Sequence, residues 1–185
     1  SIKTDEPQMR LPSVFYRYVG MQHVQNNPRY VFEVNWSGGG TGFFSDILIM
    51  QLDNDKLSLV RNVDGGDRCL GGTQNAKIVN GVLEYQKKIT SQMILDLKLD
   101  SKSKKLSKAD LEDCAVCCIG SITISNDKVT SLKFNGQIPE VDKADKKQRC
   151  FNNLLIKNGA KDKVIINLSK LKKLQKNAYN NCLKT

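Results

Sequence analysis

The stretch YVFEVNW-SGGGTG-FFSDILIMQL-DNDK-LSLVRNV, which runs from Tyr30 to Val63, decides the fold of this chain. Its three apolar segments are rich in the β-branched and aromatic residues that are typical of strands. Apolar side chains on alternate positions of the first segment are expected to share one face: Tyr30, Phe32, Val34 and Trp36. Val31 interrupts this alternation, so both faces of the strand are predicted to be half covered. The stretch therefore predicts three consecutive antiparallel strands, to which the rest of the chain is added.

The two segments that separate these strands predict turns rather than ligand-binding loops. A phosphate-binding loop ends at a helix N-terminus, where free N–H groups face the anion. After Ser37–Gly42, however, a strand-like run follows at once. Asp53–Asp55 resembles the start of a calcium loop, but the glycine and glutamate that such a loop requires further on are absent. The first segment therefore predicts a glycine-rich hairpin or bulge, the second a tight turn, and no cofactor is expected.

Further strands are predicted on both sides of this stretch. Leu11–Met21 has the composition of a first strand, and Ile78–Tyr85 contains Asn80-Gly81, a strong signal for a hairpin. Apolar residues at alternate positions in Met93–Leu99 predict a half-buried strand. The predicted fold class is mainly β (a β-rich α+β fold): an antiparallel sheet, sandwich or partly open barrel, stapled by disulfides, with one or two C-terminal helices.

The sequence divides into a flexible N-terminal lead, residues 1–12, and a single domain, residues 13–185. Within the domain, Pro139 marks the predicted boundary between a β body (about 13–138) and a helical, basic part (about 139–185). A short helix is predicted over residues 106–113, after a lysine-rich connector.

Two interpretations remain open for residues 142–168. Asp142–Lys157 is compatible with a helix that ends at Gly159, but Leu154–Ile156 could instead pair with Lys163–Leu168 as a hairpin. The end of the chain is clearer, because Ser169 is a suitable helix cap. The buried side of that helix is predicted to carry four residues: Leu171, Leu174, Ala178 and Cys182.

Six cysteines predict a disulfide framework, and therefore an oxidising compartment. They are Cys69, Cys114, Cys117, Cys118, Cys150 and Cys182. The neighbours Cys117 and Cys118 are expected to bond to two different, distant partners, because a ring between adjacent cysteines is strained. A metal site at Cys114-x-x-Cys117 is the alternative, but it would need two further ligands, and the chain has one histidine and no second C-x-x-C. No metal site is predicted.

The distribution of charge points to an anionic partner. Residues 140–185 hold twelve Lys/Arg against four Asp/Glu, so +8 of the net +10 lies there. The predicted binding residues are Lys146, Lys147, Arg149, Lys170, Lys172, Lys173 and Lys176. A lipid headgroup, an acidic glycan or an acidic protein would suit them, whereas nucleic acid is less favoured because few aromatic residues lie among the lysines. The alternative is a solvated face that keeps the protein soluble.

The sequence favours a binding protein over an enzyme. The predicted protein is secreted, to the periplasm or the extracellular space, as a bacterial effector would be. No run approaches the ~18 apolar residues of a membrane span. The only histidine, His23, lies in no catalytic motif, and no catalytic residue is assigned. One alternative is an exported hydrolase with a cleft that gathers carboxylates from Glu33, Asp46, Asp64 and Asp67. Another is an enzyme inhibitor that acts through a rigid loop at Asp64–Gly72. The ligand, the disulfide pairing and the oligomeric state are not determined by the sequence.

Overall fold

Nine strands and three α-helices form the fold in a computed structural model that describes residues 12–24, 27–39, 41–99, 111–138, 140 and 145–183. The strands are β1 (Ser13–Val24), β2 (Asn27–Ser37), β3 (Phe44–Asp53), β4 (Lys56–Asp67), β5 (Thr73–Val79), β6 (Val82–Ile89), β7 (Gly120–Ser125), β8 (Lys128–Phe134) and β9 (Ile165–Asn167). The helices are α1 (Ser91–Asp96), α2 (Lys146–Lys157) and α3 (Leu168–Ala178), and a π-helical turn (Tyr179–Leu183) follows α3.

The strands form two antiparallel sheets, each in chain order. β1 to β4 make the N-terminal sheet and β5 to β9 make the C-terminal sheet, and neither sheet closes on itself. Asn80 and Gly81 join β5 to β6 with φ angles of 50° and 75°. Positive φ at both central residues is what a two-residue hairpin requires, and Asn-Gly adopts it with little strain. The predicted mainly β class, with antiparallel sheets and C-terminal helices, is confirmed.

The core lies where the two sheets and the helices meet. In the N-terminal sheet Val31 pairs with Ile49, and Glu33 pairs with Ile47, so alternate residues of these strands point towards β5 and β6. The buried apolar side chains of both sheets and of all three helices form one hydrophobic cluster. Gly20 lets β1 approach β5 closely, since a Cβ at this position would lie 3.0 Å from Ile78.

The prediction of a strand at Met93–Leu99 is wrong, because the first part of this segment is helix α1. The Thr90 side chain caps the helix by accepting a hydrogen bond from the Met93 N–H at 3.3 Å. Ile94 and Leu95 are both buried, and adjacent residues of a strand would point to opposite faces. The apolar alternation that suggested a strand is therefore overridden by the cap and by packing in the core.

The open question about residues 142–168 is answered by helix α2, which covers Lys146–Lys157. A strand does form later, but β9 pairs with β8 rather than with residues 154–156, and Leu132 faces Ile166 across that pair. The earlier prediction of a helix at 106–113 fails for its described part, because residues 111–113 are irregular. Other predictions concern residues that lie outside the described part of the chain: 1–11, 106–110, 139 and 142–144.

Helix α3 buries the predicted side of the C-terminal segment but begins slightly earlier than expected. Its cap is Asn167 rather than Ser169, since the Asn167 side chain accepts a hydrogen bond from the Lys170 N–H at 3.0 Å. The four residues predicted to face inward are all buried: Leu171, Leu174, Ala178 and Cys182. None of the described helices is long and apolar enough to cross a lipid bilayer.

Three disulfides join the six cysteines, as Cys69–Cys118, Cys114–Cys117 and Cys150–Cys182. The adjacent cysteines do bond to different partners, but the prediction that both partners are distant is wrong for Cys117. A turn with a hydrogen bond from the Cys117 N–H to the Cys114 carbonyl brings these two residues to a Cα separation of 5.1 Å. The two thiols that the metal alternative required are therefore bonded to each other.

We expect the Cys150–Cys182 bond to contribute more stability than the Cys114–Cys117 bond. The first closes a loop across 32 residues and the second across 3, and a longer loop removes more entropy from the unfolded chain. On this basis, replacing Cys150 and Cys182 by alanine should lower the free energy of unfolding by about 3 to 4 kcal/mol, against about 2 kcal/mol for the other pair. Denaturant unfolding of the two double variants measures the difference, and equal losses would contradict this assignment.

Candidate functional site

A groove lined by lysines lies between the end of α2 and the start of α3. Its cavity volume is about 390 Å³. The lining residues are Lys157, Asn158, Gly159, Val164, Ile166, Lys170, Lys173 and Asn177. We call this feature the lysine groove. Three lysines, two asparagines and two apolar side chains line it, and no carboxylate is among its described lining residues.

The lysine groove exists because α2 and α3 run antiparallel. The Cys150–Cys182 bond joins the fifth residue of α2, near its start, to the π-helical turn after α3. At the other end of the helix pair, Lys157 in the last turn of α2 and Lys170 in the first turn of α3 both line the groove. The chain between the helices includes β9, whose Ile166 is buried against the core and lines the groove.

The structure divides the predicted binding residues between two places. Lys170 and Lys173 line the lysine groove, and Lys172 lines a neighbouring shallow depression with Thr130 and Ser169. Lys176 is exposed one turn further along α3.

The remaining predicted cations, Lys146, Lys147 and Arg149, are all exposed in the first turn of α2. Lys146 is about 16 Å from Lys157 along the helix axis, given a rise of about 1.5 Å per residue. The seven residues therefore do not form one cluster. Lys157 was missed by the sequence analysis, although its place as the last residue before the Asn158-Gly159 helix end was a usable signal, since cations favour that position.

A second cavity, of about 210 Å³, lies between the two sheets and contains His23. An ion pair spans it, because Arg61 of β4 donates two hydrogen bonds, at 2.7 and 2.9 Å, to Asp127 in the β7–β8 turn. Close to this pair, burial raises the pKa of Tyr85, and the negative charge of Asp127 raises it further. His23 itself is exposed on β1. The ion pair connects the two sheets at the mouth of this inter-sheet cleft.

Three of the carboxylates considered for catalysis, those of Glu33, Asp46 and Asp67, are held by hydrogen bonds from neighbouring groups. Glu33 is buried on the inner side of the N-terminal sheet, where it accepts hydrogen bonds from Arg17. Asp46 lies on the opposite side and accepts from the Trp36 indole at 3.0 Å and from the Gly65 N–H at 2.9 Å. The side chain of Asp64 is outside the described part of the chain.

Asp67 is likewise used for structure. Burial alone would raise the pKa of its carboxyl, but hydrogen bonds from Arg68 and from the Phe43 N–H outweigh this effect, so the pKa is lowered. Its hydrogen bond from Phe43 fixes the point where β3 begins.

The glycine-dense segment Asp64–Gly72 is not the loop that the sequence suggested. Asp64–Asp67 forms the end of β4, and residues 68–71 form a compact turn. Hydrogen bonds close the turn from the Leu70 N–H to Asp67 at 2.8 Å and from the Gly72 N–H to Arg68 at 2.9 Å. Cys69, Gly71 and Gly72 are buried, so the segment is braced by a disulfide but does not protrude.

We expect Tyr85 to ionise at a higher pH in the folded protein than in the unfolded chain, because burial raises its pKa. Its pKa is raised above 10.0 in the folded protein, so the unfolded chain loses this proton first and the folded state loses stability from about pH 10 upward. In a spectrophotometric titration the Tyr85→Phe variant should lack the late phase and should lose less stability above pH 10. Tyr179→Phe, at a partly exposed position, is the control, and loss of the late phase in that variant instead would refute the assignment.

Comparison of the chain with models of protein families, with curated proteins and with solved structures found no match.

Proposed function

We propose that the protein is an exported, non-enzymatic binding protein that contacts an anionic partner through its basic C-terminal surface, with the lysine groove as the point of contact. The observation that carries this proposal is the convergence of Lys157, Lys170 and Lys173 around one groove without a carboxylate in its lining. Such a concentration of positive charge is unfavourable unless an anion or solvent compensates it.

The chemistry of the lysine groove suits an anionic group attached to a small apolar or neutral body. Lysine ammonium groups act as point charges with three donors each and bind phosphate, sulfate or carboxylate oxygens. The amides of Asn158 and Asn177 can add neutral hydrogen bonds, while Val164 and Ile166 offer an apolar floor. A lipid headgroup or a sulfated or carboxylated sugar unit has this combination of charge and size.

Nucleic acid is a poorer candidate for the lysine groove. Single-stranded nucleic acid binds where exposed aromatic rings stack with the bases. Of the two aromatic residues in the basic quarter of the chain, Phe151 is fully buried in the core, and Tyr179 lies beyond the end of α3. Neither ring lines the lysine groove.

Export is supported by the three disulfides, since such bonds persist in oxidising compartments and are rare in a reducing cytosol. A non-enzymatic role is supported by the carboxylates of Glu33, Asp46 and Asp67, because each of them already accepts hydrogen bonds from neighbouring groups. A hydrolase needs two such groups on either side of one substrate bond.

The proposal is tested by two triple variants that remove the same charge from different places. One carries Lys157→Gln, Lys170→Gln and Lys173→Gln, and the other carries Lys146→Gln, Lys147→Gln and Arg149→Gln. Both lower the net charge from +10 by three, so a difference between them cannot arise from net charge alone. Binding is measured to heparin and, separately, to phosphatidylserine vesicles against phosphatidylcholine vesicles, over a range of salt concentrations.

The lysine-groove variant should lose most of its binding to the anionic probe, by about tenfold or more, while the second variant keeps most of it. Binding of the unaltered protein should weaken as salt rises, because ions screen exposed charges over about 10 Å at 0.1 M. Retention on heparin but not on vesicles would identify a glycan, and the reverse a lipid headgroup. Equal losses in the two variants, or no binding to either probe, would refute the lysine groove as the contact.

A further inference from the structure

The outer side of the N-terminal sheet is a broad apolar surface, which we call the outer face. Residues that pair directly across strands point to the same side, so the register defines this surface. Its apolar members are Val14, Tyr16, Tyr18, Met21, Tyr30, Phe32, Val34, Trp36, Phe44, Leu48, Met50, Leu52, Leu57 and Leu59. Two pairs of aromatic rings are in contact on this surface. The ring centroids of Tyr18 and Phe32 are 5.5 Å apart, and those of the stacked pair Trp36 and Phe44 are 4.4 Å apart.

The outer face is open to solvent at both edges of the sheet. Tyr16 of β1 is 67% exposed and Leu59 of β4 is 56% exposed. Strand β5 packs on the inner side of the N-terminal sheet, where Arg17 donates a hydrogen bond to the Ala76 carbonyl. Large exposed apolar surfaces of this kind are rare on monomers and mark sites of interaction.

The strands of the N-terminal sheet place no described lysine or arginine on the outer face. The strands of the N-terminal sheet contain four basic residues, Arg17, Arg29, Lys56 and Arg61, and their register places all four on the inner side. The described charged groups of the outer face are Asp46 and Asp67, and both already accept hydrogen bonds. The guanidinium of Arg68 is already ion-paired with Asp67 at 3.0 Å, so the surface suits an apolar partner better than an anionic one.

We propose that the outer face packs against the outer face of a second copy of this chain to form a homodimer. Four strands about 4.8 Å apart and about 30 Å long give a footprint of roughly 600 Å². This is near the roughly 800 Å² that each partner contributes to a stable interface. Two flat apolar sheets pack readily face to face, about 10 Å apart, as the two layers of a β-sandwich do.

The charge of the outer face is compatible with a second copy of the chain. A two-fold contact uses the same patch on both subunits, so the patch must not repel itself. The protein has a net charge of +10, yet the strands place no described lysine or arginine on the outer face, and the guanidinium of Arg68 is ion-paired with Asp67.

The dimer is tested by sedimentation equilibrium of the whole chain over a wide concentration range. The unaltered protein should show a dimer of twice the monomer mass. Tyr16→Lys and Leu59→Lys, at opposite edges of the outer face, should each raise the dimer dissociation constant by roughly a hundredfold, because each places like charges in the interface. Val116→Lys, at a 72% exposed position in the Cys114–Cys117 loop, is the matched control and should not change it. Circular dichroism and thermal unfolding confirm that each variant is folded.

The single tryptophan gives a second, independent measurement. Trp36 lies on the outer face, so quenching of its fluorescence by acrylamide should fall as the protein dimerises, and Tyr16→Lys should prevent that fall. A protein that stays monomeric at all concentrations would overturn the proposal. A dimer in which acrylamide still quenches Trp36 would also overturn it, because that result is expected if the subunits pair through the edge of β1. Insertion of Trp36 into phosphatidylcholine vesicles by a monomer would also overturn it, in favour of a lipid surface. None of these outcomes bears on the lysine groove.

Discussion

The register between β2 and β3 is the constraint on which the rest of the structure depends. In this register Val31 lies opposite Ile49, and Glu33 lies opposite Ile47. The side chains of these residues therefore point inward, and those of the residues between them point to the outer face. A slip of one residue would exchange the two sets, so the core, the ion pairs and the exposed apolar surface are all consequences of one alignment. The inner position of the four strand cations follows from the same alignment, since Arg61 reaches Asp127 only from that side.

The disulfides act on a different part of the molecule. Cys69–Cys118 ties the turn after β4 to the segment that leads into β7, which connects the two sheets. Cys150–Cys182 closes one end of the antiparallel pair of α2 and α3, and the lysine groove opens at the other end. Because the hydrophobic side of α3 is fully buried, its lysines have no place except the solvent side or the groove. The basic surface is therefore positioned by apolar packing as well as by the charges themselves.

The two proposed surfaces have opposite chemistry, and this separation has a physical basis. The last quarter of the chain holds most of the net charge, while the N-terminal sheet keeps its cations away from the outer face. A dimer through the outer face would leave the helices of both subunits free, so each dimer would present two lysine grooves. Two linked sites bind a multivalent anionic surface more tightly than one, through their effective concentration.

The sequence by itself determined the features that arise locally: the hairpin at Asn80-Gly81, the buried side of α3 and the mainly β class. Only the tertiary structure decided which cysteines pair, that Met93–Leu99 begins as a helix, and that Lys146–Lys157 is a helix and not part of a hairpin. It also decided that Lys157 and Lys170 line one groove, and that the exposed aromatic side of the N-terminal sheet faces away from β5. The physical reason is the separation along the chain between the residues that interact. A turn or a cap depends on φ angles and hydrogen bonds within a few residues, whereas burial and pairing depend on which distant segments compete for the same core.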